Sequence, residues 1–123
     1  MNEQLANIPP QIQEKLLRLQ QLQQTLQSIL AQKQQIEMEL KEIEQAETEL
    51  EKTTDQTPTY KTIGSLLIRT EKPKILEEFK ERKELLTMRN QVVVKQEERI
   101  RKQLTDLQNK LQKELKPMYP SNT

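Results

Sequence analysis

The chain has no histidine, no cysteine and no tryptophan, and among its 123 residues there is one glycine and one phenylalanine. Without cysteine there is no disulfide framework and no thiolate nucleophile, and the default compartment for such a chain is the cytoplasm. Without imidazole the commonest general base and the commonest metal ligand are gone. A single glycine cannot build the glycine-rich loops that cradle phosphates. Serine occurs only at Ser28, Ser65 and Ser121, and the carboxylates fall on helical stretches without an apolar pocket to shift their titration. The expectation is a protein that is not an enzyme and takes no metal or other cofactor. Apolar residues make up 33%, against about 45–50% in globular chains when glycine is counted with them, so a compact core is not expected. No run approaches the ~18 apolar residues of a membrane span, and the opening MNEQLANIPPQ lacks the basic and apolar stretches of a secretory signal. No membrane partner is expected.

What is abundant is leucine, glutamine and charge of both signs. There are 18 Leu and 18 Gln, and 20 Lys and Arg stand against 19 Asp and Glu, for a net charge of +1. That balance gives no net field to draw nucleic acid or an anionic membrane, and it favours protein partners. The basic runs at Lys80, Arg82, Lys83 and at Arg99, Arg101, Lys102 are interleaved with Glu and carry no stacking aromatics. They read as solvated helix faces, not as a nucleic-acid site or an RNA-binding arm.

Residues 11–52 contain neither Gly nor Pro, and their apolar residues recur at alternating spacings of three and four, the period of a coiled coil. In one heptad phase Leu5, Ile12, Leu19, Leu26, Lys33, Leu40 and Glu47 take the a positions. Ile8, Lys15, Leu22, Ile29, Ile36, Ile43 and Leu50 take the d positions. Residues 74–116 hold a looser seam, with Leu76, Lys83, Asn90, Glu97, Leu104, Leu111 and Met118 at a, and Phe79, Leu86, Val93, Ile100, Leu107 and Glu114 at d. Pro9 and Pro10 fit only a first turn, Pro73 can open the second helix, and Pro117 ends it. Matched lengths predict that the helices fold back on each other, with facing residue numbers adding to about 126. Opposite charge supports the pairing, because the first helix carries −3 and the second +4.

Between the helices the composition changes. Residues 53–73 are rich in Thr, Ile and Tyr and read as two short strands. Gly64-Ser65 suits a type II′ turn in which glycine takes the positive φ, which pairs Ile63 with Leu66, Thr62 with Leu67, Lys61 with Ile68 and Tyr60 with Arg69. Ile63, Leu66 and Ile68 then share one face, and Tyr60 and Leu67 the other. An isolated two-stranded hairpin is marginal in water and both its edges are open, so this one needs partners. The expected fold is therefore mainly α: a long antiparallel two-helix coiled coil with one β-hairpin inserted between the helices. Its segments are an N-terminal tip (1–10), a first helix (11–52), a hairpin insert (53–73), a second helix (74–116) and a C-terminal tail (117–123).

Three stretches in this order, IPPQIQEKLLRLQQLQQTL, YKTIGSLLIRTEK and LEEFKERKELLTMRNQVVVKQEERIRKQLTDLQNKLQ, resemble the beta subunits of the prefoldin family, the archaeal type in particular. The single hairpin supports beta, because the alpha type has two. The resemblance implies a hexamer of two alpha and four beta subunits whose hairpins assemble a β-barrel base, with the helix pairs hanging from it. It also implies ATP-independent binding of non-native polypeptides and their delivery to a group II chaperonin. The implied partners are thus an alpha subunit, other beta subunits, unfolded clients and the chaperonin.

Three groups of residues are candidates for function. Tyr60, Ile63, Gly64, Leu66, Leu67 and Ile68 form the candidate oligomerisation hairpin; the bland alternative is a hairpin packed only on its own helices. Leu5, Ile8, Ile12, Leu16, Leu111, Leu115, Met118 and Tyr119 are candidates for client contact at the tips, by exposed apolar side chains that give weak, multivalent contacts. The alternative for Ile12, Leu16, Leu111 and Leu115 is that they continue the seam. Lys33, Asn90 and Glu97 interrupt the seam near its middle and are candidates for fixing register, unless Lys33 simply keeps its charge in water. A structural coiled-coil adaptor without chaperone activity is the rival class; it has no need of the hairpin or of apolar tips.

Overall fold

A computed structural model of the chain describes residues 8–117. The elements follow in the order α1 (Pro10–Glu51), β1 (Thr59–Ile63), β2 (Leu66–Thr70) and α2 (Lys72–Leu115). Prolines set the helix starts. Pro10 is the first residue of α1, where a missing N–H is one of the unsatisfied donors anyway. The Pro9 carbonyl accepts from the amides of Ile12 and Gln13, both at 3.0 Å, and the Gln13 side-chain amide reaches back to the Ile8 carbonyl at 2.7 Å. Pro73 is the second residue of α2, and the Glu71 carbonyl accepts the first helical bond there, from Ile75 at 3.1 Å. At the other end of α1 the amides of Lys52 and Thr53 donate to Glu49 and Leu50, a three-residue spacing that tightens the last turn. The Thr53 hydroxyl donates to the Leu50 carbonyl as well, at 2.6 Å.

The heptad phase holds along both helices. Every a and d position from Ile12 to Leu50 and from Leu76 to Glu114 is buried or half-buried. The chain divides into two compact units, one of residues up to 32 together with those from 93 onward, the other of residues 33–92. In the first, which holds the chain ends, α1 and α2 run antiparallel. Ile8, Ile12 and Leu111 form a buried cluster, with Leu16, Leu19, Leu107 and Leu115 packed against it. Lys15 is ion-paired with Glu114 across the helices. Further along, Thr25, Ser28, Ile29 and Gln32 of α1 face Gln96, Arg99 and Ile100 of α2 across a shallow groove.

In the second unit, Ile43, Ile75 and Leu86 are buried, Leu86 most completely at 1% exposure. Glu39 of α1 receives Arg82 of α2 through Nε at 3.1 Å and Nη2 at 2.8 and 3.0 Å, and Lys83 meets Glu47 at 2.8 Å. Both basic residues come from a run expected to be a solvated face, and both are instead half-buried and spent on α1. The opposite net charges of the helices are realised as these pairs. The Lys15–Glu114, Glu39–Arg82 and Glu47–Lys83 numbers each add to within five of 126.

Candidate functional surfaces

The hairpin has the register that a two-residue loop dictates. Thr59 pairs with Thr70, Tyr60 with Arg69, Lys61 with Ile68, Thr62 with Leu67 and Ile63 with Leu66. Gly64 has φ +58°, and no other described residue has a positive φ, the pattern of signs that a type II′ turn requires. The root of the hairpin is tied down. Lys61 of β1 pairs with Glu78 of α2 at 3.2 Å, and the Lys72 ammonium donates to the Thr53 carbonyl at 2.9 Å. The preceding turn is closed by the Thr57 amide on the Thr54 carbonyl at 3.1 Å.

Beyond that root the apolar side chains are bare. Tyr60, Ile63, Leu66, Leu67 and Ile68 are 55%, 51%, 63%, 72% and 40% exposed, and they occupy both faces. A strand pair with two open edges and two apolar faces offers backbone donors and acceptors together with side chains to another strand. The chain's own helices do not cover it.

The end-carrying unit is different. Ile8, Ile12 and Leu111 are buried and Leu16 and Leu115 are half-buried. These five candidates for client contact pack on one another as aliphatic side chains from antiparallel helices, with the half-buried Lys15–Glu114 ion pair beside them. Leu5, Met118 and Tyr119 lie outside the described residues. Lys33, Asn90 and Glu97 are all half-buried. Glu97 accepts from Arg101 at 2.7 Å, and the Asn90 Oδ1 is buried without a hydrogen-bond partner among the described residues.

Two features lie off the seam and escape a heptad reading. One is the bidentate Glu39–Arg82 pair. The other is a stripe of Leu85, Met88 and Val92 on the outer face of α2, all exposed; its spacing of three and four was visible in the sequence. Among the described residues no group of three or more acidic residues is placed to hold a metal ion. No described helix is long and apolar enough to cross a membrane.

An antiparallel helix pair with a single β-hairpin between its helices defines a class of coiled-coil protein, and comparisons with known proteins identify which one. The prefoldin subunit family model matches residues 13–117. The prefoldin subunit beta of Methanothrix thermoacetophila is 46% identical over 115 residues, covering 94% of this chain and 96% of the relative. That of Archaeoglobus fulgidus is 40% identical over 113 residues, covering 92% and 97%. The crystal structure of the prefoldin beta subunit from Thermococcus strain KS-1 superposes with a TM-score of 0.81 at 39% identity, over 90% of this chain and 97% of that one. The chain belongs to the prefoldin family of chaperone subunits, and its relatives there are the beta type.

Proposed function

We propose that the chain is a subunit of an ATP-independent holdase of the cytosol, which joins an alpha-type partner in a hexamer of two alpha and four beta subunits. In this reading the hairpins build the β-barrel base, and the tips hold non-native polypeptides until they pass to a group II chaperonin. The observation that carries it is the bare hairpin. Five apolar side chains on two faces, anchored only at the root, are a surface that folding of one chain leaves unfinished. Fully burying an exposed leucine or isoleucine is worth about 1.5–3 kcal/mol, and covering what remains exposed of these side chains in several chains at once adds up to a driving force for assembly.

The clients are held by Leu5, Ile8, Ile12, Leu16, Leu111, Leu115, Met118 and Tyr119. Since Ile8, Ile12 and Leu111 are covered by one another in the closed helix pair, client contact requires the helix ends to part, which exchanges contacts within the cluster for contacts with the client. Lys33, Asn90 and Glu97 set the register of the pair.

Co-expression with an alpha-type partner, followed by the mass of the complex and its capture of a denatured protein without nucleotide, tests assembly and activity together. A hexamer that suppresses aggregation of several unrelated clients is the expected result. Deleting residues 1–8 and 117–123 should weaken that suppression and spare the hexamer. Undiminished suppression would move client contact elsewhere, and a complex that protects no client would leave an adaptor.

A further inference from the structure

The two units differ in charge. Residues 1–32 and 93–123 hold nine Lys and Arg against six Asp and Glu, a net +3, whereas residues 33–92 hold eleven against thirteen, a net −2. In the end-carrying unit, each ion pair removes one charge of each sign and leaves this excess in place. Glu97 is engaged by Arg101 and Glu114 by Lys15, while Lys110, Lys113 and Lys116 are exposed and make no ion pair among the described residues. These three lysines interleave with Leu111 and Leu115 of the apolar cluster. Opposite them on α1, by the facing sum of about 126, residues 10–16 carry Glu14 and Lys15, one charge of each sign, so that segment adds no net charge.

Resting on the reading of these ends as the client-binding site, we infer that the site favours one class of client: non-native segments in which acidic residues flank apolar ones. Apolar client side chains take the places that cluster residues vacate, and client carboxylates meet the lysines that border them. Attraction between solvated charges at this range is screened by salt, with a Debye length of about 10 Å at 0.1 M. The preference is therefore a salt-sensitive addition to a salt-insensitive apolar contact.

Anisotropy titrations of the full-length chain with three versions of one dye-labelled unstructured peptide test this. The apolar residues stay the same and the intervening ones are all Glu, all Gln or all Lys. The expected order of affinity is Glu, Gln, Lys, with about fivefold between the first two at low salt, as a few exposed pairs supply, and the difference vanishing at high salt. Lys110→Gln/Lys113→Gln/Lys116→Gln should erase the order while still binding the Gln peptide. Lys41→Gln/Lys74→Gln/Lys80→Gln, which neutralises exposed lysines of the other unit, should keep it. Equal affinity for the three peptides, or an acidic preference that survives the first triple variant, would overturn the inference and leave the holdase reading standing; the lysines would then belong to a folded partner. Failure to bind any of the three would overturn both.

Discussion

Leu86 and Leu67 lie in the same compact unit and are the same residue type, yet one is 1% exposed and the other 72%. The difference is what the chain itself can supply as cover. A d-position leucine on α2 finds α1 alongside, because a seven-residue repeat keeps one stripe of each helix turned toward the other. A leucine on a lone strand pair finds nothing, because a sheet of two strands has no second layer. The seam is complete within one chain. The hairpin's apolar faces are left exposed by the one chain.

Replacing each leucine in turn separates the two kinds of burial, and the largest effect is on the seam. Leu86→Ala should cost about 3 kcal/mol, within the range for truncating a fully buried leucine, and lower the helix melting midpoint of the isolated chain. Leu67→Ala should change that midpoint by less than about 0.5 kcal/mol and weaken assembly with the alpha-type partner. Thermal melts by circular dichroism and sedimentation of the mixture read the two outcomes. Equal loss of helix stability from both would mean that the hairpin contributes to the single chain after all.

Gly64 sharpens the contrast, because a change there strains the backbone and removes no contact. Its φ of +58° is open to glycine at no steric cost, and an added Cβ would meet nothing within 4 Å. The penalty for a side chain is therefore conformational alone, about 1–2 kcal/mol for an ordinary L residue and more for a β-branched one. Gly64→Val should leave the helices folded and dissociate the complex, and Gly64→Asn, which tolerates the left-handed region, should assemble. An intact hexamer with valine would remove the hairpin from the interface.

The helix pair and the hairpin were legible in the sequence for the same reason that they fold: each is specified by short-range periodicity. The three-four spacing from Ile12 to Leu50 named the covered positions, and Gly64-Ser65 alone fixed the strand register, since a two-residue loop leaves one way to pair Ile63 with Leu66. Neither pattern says how far the end of a helix pair stays closed. Ile8 has a place in the heptad phase but precedes two prolines, and its burial against Leu111 follows from the direction the chain takes before α1, which the Gln13 bond to the Ile8 carbonyl helps to hold. The Glu39–Arg82 pair lies at g positions, where long side chains of either sign are common; the opposite helix charges announced pairing without naming partners.

Asn90 tests whether the seam gives up stability for register. Its Oδ1 is buried with no hydrogen-bond partner among the described residues, and an unsatisfied polar atom costs about 1–3 kcal/mol. Asn90→Leu should therefore raise the melting midpoint by about 1 kcal/mol and, if the polar layer sets register, broaden the distance distribution between spin labels at Gln35 and Gln91. One unchanged narrow distance in the variant would show that the apolar positions suffice to align the helices.

The smallest effect lies at Lys83, an a-position residue whose ammonium meets Glu47 at 2.8 Å. The Glu47 hydrogen bond, aided by the Glu47 and Glu44 charges and opposed by desolvation, holds the lysine above its ordinary value of 10.5. Since the folded value is the higher one, the pair's contribution is fully present below pH 10.5 and is lost as pH rises through the folded value. Lys83→Met keeps the side-chain stem and removes the charge, so it separates packing from pairing. The variant should melt slightly below the parent at neutral pH, and the two curves should converge on the alkaline side, beyond the shifted value. A gap that stays constant with pH would assign Lys83 to packing, like its apolar neighbours along the seam, and would leave Glu47 without an electrostatic role there.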